Sequence, residues 1–385
     1  MRIVVATDGN PRAPQTFSGS SARMVAGLEA AGALAGAVDV KPHWLSRAEQ
    51  AASYDRDRLR WHQRFWSGAS PAGPAVRRAM SALGRAQVAR IADVDAVLQI
   101  SGWYDARPAG SSALLATYQD ANGTLWTQRP DLALDPQAAG LRRAREAERR
   151  TYARMDVVCT MSEWSRRSFI DDYGVHPDRV VAVGAGPNLD ALPPVAERVP
   201  GPPRVLFVGR TFGRKGGPEL LEGFRALHAR DPRATLDVVG PPPGPEQPGV
   251  TWHGPVYHRP TLNGLYARAT IFALPSRYEG FGIPFLEGMA HGLPCVGARV
   301  CAVPEVVLDG ETGLLVPPGD PRALGEALVA LAEDPARGVA MGRAGRAAVE
   351  DRWTWEGTGR RIVDALSGRS ASGGRHRRPT TPAIA

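Results

Sequence analysis

The sequence is poor in cysteine, with three cysteines among 385 residues, and it has no long apolar run. Cys159, Cys295 and Cys301 are odd in number and lie in apolar or turn contexts, so we interpret them as reduced thiols, not as a disulfide set or metal site. No apolar stretch reaches the roughly 20 residues that a membrane helix needs. The opening residues, MRIVVATDGN, are typical of a strand and a turn, not of a signal peptide. These features predict a cytoplasmic protein.

Acidic residues are fewer than basic ones, and the net charge is +8 at pH 7. Residues 369–385 carry four arginines and no acid, and their Ser, Gly, Pro and Thr content predicts a disordered basic tail. A second basic cluster lies on a predicted helix: Arg142, Arg143, Arg145, Arg149, Arg150 and Arg154. Such a cluster is usually a solvated helix face. Peripheral contact with an anionic membrane, at its inner face, is the alternative that we retain, and we expect no nucleic acid partner.

Apolar strand-like runs alternate with helical segments in both halves of the chain, which predicts an α/β protein with two doubly wound parallel sheets. The length is also greater than one hydrophobic core usually serves. Between the halves, residues 193–203 contain five prolines and one glycine, which predicts a linker. We therefore assign residues 1–195 to a first Rossmann-like domain, 196–203 to a proline-rich hinge and 204–352 to a second Rossmann-like domain.

Aromatic residues concentrate in one part of the first half, at Tyr54, Trp61, Phe65 and Trp66. Their spacing of seven and then four predicts that Tyr54, Trp61 and Phe65 lie on one face of a helix. We interpret that face as core packing, with an acceptor groove or a membrane-facing patch as the alternative.

The most informative stretch is RYEGFGIPFLEGMAHGLPCVG, at 277–297. Pro284 suits the first position of a helix, and Gly292 suits the residue just past its end. We therefore expect Glu279 in a strand-to-helix loop and Glu287 one turn into the helix. The free N–H groups of that turn form an anion site, and ionised carboxylates accept hydrogen bonds from sugar or ribose hydroxyls. The pattern indicates a diphosphate between a sugar and a nucleoside, with solvated carboxylates as the alternative.

A glycine-rich turn, GRTFGRKGG at 209–217, holds Arg210 and Lys215 just before a helix that begins at Pro218. The turn lacks the Gly-Lys-Ser/Thr of a Walker loop and the spacing of a dinucleotide-binding loop. Two fixed cations beside a helix start suit a diphosphate that must leave as an anion. Surface cations on a loop are the alternative interpretation.

Together the two stretches resemble the signature of the retaining glycosyltransferases of family four, which have the GT-B fold. In that family a Glu-x-Phe-Gly opening and a second glutamate eight residues later mark the donor site. The resemblance covers residues 204–355 well and the first half more loosely. It implies two Rossmann-like domains that face a cleft, an acceptor domain at 1–195 and a nucleotide-sugar domain at 204–352, with a helix at 353–368 crossing back to the first domain.

The resemblance also implies roles for individual side chains. Glu279 would hold hydroxyls of the donor sugar, and Glu287 would hold the ribose hydroxyls. Arg210 and Lys215 would stabilise the diphosphate as it leaves. Further donor contacts, mostly through the backbone, are implied at Gly209, Gly254, Gly280, Phe281, Gly282 and Ile283.

The first domain gives weaker indications. Gly19, at a Gly/Ser-rich helix start after the first strand, matches a family loop that faces the donor diphosphate. Many relatives place a histidine near the end of the strand at 113–118, and this chain lacks it. Asp120 is the polar residue best placed to substitute for it. Ser162 and Glu163 open a helix that would edge the cleft.

These observations predict a retaining, metal-independent bacterial glycosyltransferase that needs no cofactor. Its donor would be a nucleotide-diphosphate sugar, with a UDP-sugar favoured and a GDP-sugar second. The acceptor would be a hydroxyl of a glycan, a lipid-linked glycan or a small molecule. The alternatives are a nucleotide-sugar-binding protein without transfer activity, a nucleic acid binder that uses the basic clusters, and an epimerase on the same fold. The two-glutamate stretch disfavours the epimerase.

Overall fold

The structure, a computed structural model, describes residues 1–14, 16–42, 54–55, 60–61, 74–132, 139–195 and 201–372. The strands of the first half are β1 (Ile3–Thr7), β2 (Leu34–Asp39), β3 (Tyr54–Asp55), β4 (Arg60–Trp61), β5 (Ala96–Gln99), β6 (Leu114–Gln119), β7 (Val157–Thr160) and β8 (Val180–Ala182). Six of them form a parallel sheet in the order β2-β1-β5-β6-β7-β8. The carboxyl ends of these strands therefore share one edge of the sheet.

The sequence of β1, IVVAT, explains its central place in this sheet, because all five residues are buried. Ile3 and Val5 belong to one core, whereas Val4 and Ala6 belong to a second core on the opposite face. A continuous apolar run is typical of a parallel strand covered on both faces. The helices of this half are α1 (Ser20–Ala30), α2 (Pro74–Val88), α3 (Gly123–Thr127), α4 (Ala139–Tyr152) and α5 (Glu163–Asp171).

The second half forms another six-stranded parallel sheet, in the order β11-β10-β9-β12-β13-β14. Its strands are β9 (Arg204–Val208), β10 (Thr235–Val239), β11 (Val250–Gly254), β12 (Ile271–Leu274), β13 (Cys295–Ala298) and β14 (Gly313–Val316). Its helices are α6 (Gly217–Arg230), α7 (Arg259–Arg268), α8 (Ile283–Ala290), α9 (Val303–Val306), α10 (Pro321–Glu333) and α11 (Pro335–Asp351). Two doubly wound sheets are the expected GT-B architecture.

The last helix, α12 (Trp355–Ser372), returns to the first domain as predicted. The indole Nε1 of Trp355 donates to the carbonyl oxygen of Pro187 at 2.9 Å, and its ring meets Tyr118 edge-on. A Cβ added to Gly27 of α1 would overlap the carbonyl oxygen of Trp355. A Cβ added to Gly359 would overlap the carbonyl oxygen of Gly27. Helices α1 and α12 therefore cross with their backbones in direct contact.

Two local predictions were wrong. Tyr54 and Trp61 pair across the antiparallel strands β3 and β4, so they do not share a helical face; an extended ribbon suits aromatic residues. The predicted tail starts too early, because α12 continues through 369–372. Its Arg369 donates to the carbonyl oxygen of Asp178, which ties this turn to the first domain.

Some predictions fall on parts of the chain that the structure does not describe. Phe65, Trp66, residues 196–200 of the linker and residues 373–385 of the tail lie outside the described residues. None of the helices in the described ranges is long and apolar enough to cross a membrane.

Candidate active site between the two sheets

The loop after β12 and the start of α8 form the floor of the cleft. Gly282 precedes α8 in a left-handed conformation, with φ 104°, that glycine adopts at little cost. Pro284 follows in the first turn, where the missing N–H of proline costs no backbone hydrogen bond. The N–H of Phe285 already donates to the carbonyl oxygen of Gly282 at 2.9 Å, so the N–H of Ile283 is the donor that this turn leaves for an anion. Phe281 is buried and packs edge-on against Trp353, so its ring anchors the loop and only its backbone is available to a ligand.

Glu279 and Lys215 form an ion pair in this loop, and both are more than nine-tenths buried. The same carboxylate oxygen, Oε2, accepts a hydrogen bond from Ser276 Oγ at 3.1 Å. Burial lowers the pKa of Lys215, and the Glu279 carboxylate opposes that shift. The sequence predicted both residues at the donor site but did not predict that they bind each other.

The glycine-rich turn brings Lys215 to this position. Gly216 caps α6 with φ 74°, and a Cβ there would overlap the carbonyl oxygen of Pro275. A Cβ on Gly209 would lie 3.0 Å from the Lys215 side chain. Only glycine at these two positions lets the turn pack this closely against the loop that follows β12.

The turn carries two further cations, Arg210 and Arg214. Arg210 is exposed and forms no hydrogen bond or ion pair with any described residue. Arg214, which the sequence analysis missed, donates from Nη1 to the carbonyl oxygen of Tyr278 at 2.9 Å. Its carbonyl oxygen accepts from the N–H of Arg277 at 2.9 Å. Arg214 therefore joins the turn to the loop that carries Glu279, and its position beside Lys215 was the available signal.

Asp120 faces this loop from the first domain, at the end of β6. A Cβ on Gly280 would lie 2.9 Å from Asp120 Oδ2, so the carboxylate lies against the backbone of the predicted sugar pocket. Burial and, to a smaller extent, the charge of Glu279 raise the pKa of Asp120 to about 6, against the opposing effects of backbone N–H groups at 120–121 and of Arg214. This geometry places an ionisable group where relatives were expected to carry a histidine.

Glu287 lies one turn into α8, as predicted, with both carboxylate oxygens hydrogen-bonded. Oε1 accepts from Arg259 Nη1 at 3.0 Å, and Oε2 accepts from the hydroxyl of Tyr266 at 2.9 Å. Burial raises the pKa of Glu287, whereas Arg259 and Tyr266 lower it. The Nε and Nη2 atoms of Arg259 are buried without a partner in the described structure. The sequence analysis missed Arg259 and Tyr266, which lie on α7.

Two of the predicted contacts in the first domain have other partners. Ser162 is 2% exposed, and its Oγ caps α5 by accepting from the N–H of Ser165 at 3.1 Å. The Glu163 side chain pairs with Arg166 at 3.3 Å. The backbone N–H of Glu163 donates to Glu305 of the second domain at 2.8 Å. The structure therefore uses this helix start for domain contact.

The remaining predicted donor residues are glycines at the edges of the cleft. Gly19 caps α1 with φ 91°, and a Cβ there would lie 3.3 Å from Asn188 Nδ2. Gly254 ends β11 with φ 64° and open space around its Cα. Tyr257, in the loop that follows, is 84% exposed. In the described ranges, no group of three or more His, Cys, Asp or Glu residues is arranged to hold a metal ion.

Comparison with known proteins agrees with this architecture. The family model described as "Glycosyl transferases group 1" matches residues 202–334, which include the glycine-rich turn, Glu279 and Glu287. The sucrose-phosphate synthase of Thermosynechococcus elongatus superposes with a TM-score of 0.66 at 20% identity, covering 97% of this chain and all of that one. This similarity supports the GT-B fold.

Two curated relatives are mannosyltransferases by name. A GDP-mannose-dependent alpha-(1-6)-phosphatidylinositol monomannoside mannosyltransferase of Mycolicibacterium smegmatis is 34% identical over 59% of this chain and 66% of its own length. A GDP-mannose-dependent monoacylated alpha-(1-6)-phosphatidylinositol monomannoside mannosyltransferase of Corynebacterium glutamicum is 26% identical over 83% of this chain and 87% of its own length. The first alignment thus spans slightly less than two thirds of that relative. Residues 202–334 of the chain thus match the glycosyl transferases group 1 family, and both sheets together have the GT-B fold.

Proposed function

We propose that this protein transfers a sugar from a nucleotide-diphosphate donor to a hydroxyl acceptor, with retention at the anomeric carbon and without a metal ion. The observation that carries the proposal is the Lys215–Glu279 pair in the cleft, between the amino ends of α6 and α8. A cation and two helix starts attract a diphosphate. The adjoining carboxylate accepts hydrogen bonds from the sugar that the diphosphate carries.

GDP-mannose is the first donor to test. The sequence alone favoured a UDP-sugar, but both curated relatives described above are named GDP-mannose-dependent. Those names support a guanosine donor for this chain. Glu287 and its partner Arg259 lie at the position where the resemblance places the nucleoside.

In the proposed reaction the bond from C1 of the sugar to the donor phosphate breaks, and a bond from C1 to the acceptor oxygen forms on the same face. The acceptor proton passes to an oxygen of the departing phosphate. Lys215, Arg210 and the N–H groups at the start of α8 stabilise the charge that grows on the diphosphate. Asp120 and Glu279 hold hydroxyl groups on either side of the reacting carbon.

The proposal is tested with the purified full-length chain and GDP-mannose. Calorimetry measures GDP binding, and proton NMR follows both the loss of the donor and the anomeric configuration of the first product. We expect micromolar GDP affinity, release of GDP and an α-configured product. Absence of GDP binding and of donor consumption, with UDP-sugars also inert, would refute the proposal. If the protein binds GDP but does not release GDP from GDP-mannose, the alternative of a nucleotide-sugar-binding protein is favoured. A β-configured product would refute retention.

A further inference from the structure

A cavity of about 230 Å³ lies in the first domain, beside Asp120. It opens at the carboxyl ends of β5 and β6, under α3 and α4. Aromatic and aliphatic side chains form most of its wall: Phe17, Ile100, Trp103, Trp126, Leu141 and Ala144. An engineered cavity of about 150 Å³ in another protein holds a benzene molecule, so this volume has room for a ring with substituents.

One carboxylate in the wall already has its hydrogen-bond partners. Glu148 accepts from Trp103 Nε1 at 3.2 Å, from the hydroxyl of Tyr152 at 3.3 Å and from the hydroxyl of Tyr173 at 2.6 Å. A ligand therefore gains little from Glu148 as a hydrogen-bond acceptor. Its carboxyl group nevertheless lies beside the cavity.

Two polar groups remain to orient a ligand. Arg145 donates from Nη2 to Thr127 Oγ1 at 2.8 Å, and its Nε is buried without a partner among the described residues. Asp120 lines the cavity and also lies against Gly280 of the sugar-pocket loop. Asp120 therefore lies between a ligand in the cavity and the proposed nucleotide-sugar site. The Nε–H of Arg145 is available beside the ligand as a hydrogen-bond donor.

The balance of charge disfavours a phosphorylated ligand. Asp120 and Glu148 place two carboxylates in the wall, where the one guanidinium is that of Arg145. Arg77, which interacts with Glu148, and Arg129, which stacks on the Trp126 ring, lie outside the wall. A phosphate dianion would lose its hydration next to two like charges, and such burial is costly without full pairing. An uncharged ring with hydroxyl groups meets no such penalty and covers the aromatic wall.

We infer that this cavity binds the acceptor, and that the acceptor is an uncharged alcohol with an aromatic or largely apolar ring body. Its reacting hydroxyl points to Asp120, and a second oxygen accepts from Arg145 Nε. The inference rests on the proposed function for the role of the ligand as acceptor. Such an acceptor differs from the one in the names of the two relatives, which is a phosphatidylinositol monomannoside.

The test is a binding measurement that does not depend on turnover. Ligand-observed NMR with the full-length chain measures the dissociation constants of phenyl β-D-glucopyranoside and of its 6-phosphate. We expect the uncharged compound to bind at least about tenfold more tightly. Ala144→Phe fills the cavity and should abolish this binding, and Trp126→Ala removes an aromatic wall and should weaken it. Arg143→Phe, on the exposed face of the same helix, is the matched control and should bind like the wild type.

Three results would overturn the inference: equal or tighter binding of the phosphate, undiminished binding in folded Ala144→Phe, or no binding of either compound to the wild type. Melting temperatures show whether each variant is folded, and Trp126→Ala tests the site without overpacking it. If the proposed function fails, GDP binding and GDP-mannose consumption are absent, whether or not the phenyl glucoside binds. The two failures are therefore distinguishable.

Discussion

The carboxylate of Glu305 accepts a hydrogen bond at 2.7 Å from the backbone N–H of Trp164, although the two residues belong to different domains. Its second oxygen accepts from the N–H of Glu163 at 2.8 Å. These N–H groups open α5, where the partial positive charge of a helix favours an anion. One side chain of the second domain thus holds a helix of the first domain across the cleft.

The first prediction concerns this contact. Glu305→Ala should open the cleft, because two charge-assisted hydrogen bonds of roughly 1.5–3 kcal/mol each are lost. We expect a larger radius of gyration in small-angle scattering and a lower kcat/KM for the donor. Glu311→Ala, an exposed glutamate nearby in the sequence, should change neither. Unchanged scattering and turnover in Glu305→Ala would show that the contact does not control closure.

The second prediction separates binding from catalysis at Lys215. The charge that it faces grows as the glycosidic bond breaks, so Lys215→Met should lower kcat by about 30- to 1000-fold with a much smaller loss of GDP affinity. Glu279→Ala should likewise spare GDP binding, because its proposed partner is the sugar. Lys41→Met is the control, since Lys41 lies at 3.9 Å from Asp8 in a different part of the chain. Calorimetry and donor turnover on the same samples decide the matter, and near-normal turnover in Lys215→Met would contradict the assignment.

The third prediction concerns nucleoside binding. Glu287→Gln should weaken GDP binding about tenfold or more, with or without an attached sugar, because an amide cannot accept through both ends. Tyr266→Phe removes one neighbouring hydroxyl but leaves the carboxylate and Arg259, so it should have a smaller effect. Equal losses in Glu287→Gln and Glu279→Ala would refute the division between ribose and sugar.

The fourth prediction is a pH dependence that belongs to Asp120. Because its folded pKa is about 6 and its ordinary value is 3.8, the folded state is penalised as the pH rises from about 4 to about 6. Asp120→Asn should therefore stabilise the protein by roughly 1–3 kcal/mol above pH 6 and by much less near pH 4. If the ionised form orients a hydroxyl, wild-type kcat/KM should fall below about pH 6 and this limb should vanish in Asp120→Asn. Denaturant titrations across this range check the first part, and a pH-independent difference in stability would contradict it.

The fifth prediction is that transfer needs no metal ion. In the proposed mechanism Lys215, Arg210 and the start of α8 would supply the positive charge that a metal would otherwise provide. Activity should persist in excess chelator at its full rate. Loss of activity in chelator, followed by recovery with magnesium or manganese, would contradict the proposed stabilisation of the leaving group.

The arrangement of the loop after β12 and of α8 could be predicted from sequence because its determinants are local. Pro284, Gly292 and the two glutamates lie within one loop and one helix, so their spacing alone fixes how they are arranged. The Lys215–Glu279 pair was not predicted, since it joins residues 64 positions apart through packing of two loops. The Glu305–Trp164 contact joins residues 141 positions apart in two domains, and no local pattern encodes such a distance.

The prediction of a helix for the aromatic cluster was wrong for a different reason. Tyr54 and Trp61 satisfy the period of a helix, but the same residues also suit a short antiparallel ribbon. A period over so few residues does not distinguish the two. Asp120 was only partly predictable. Its place at a strand end follows from the local sequence, but its contact with Gly280 depends on how the two domains pack together.

The crossing of α1 and α12 has a consequence for the order in which the molecule is made. Residues 355–366 complete the surface of the domain that contains the first strand, yet the ribosome synthesises them after the whole second domain. The apolar side of α1 therefore stays uncovered until some 150 further residues have left the ribosome, at roughly 5–20 residues per second. Truncation before Trp355 would therefore leave the apolar side of α1 permanently uncovered.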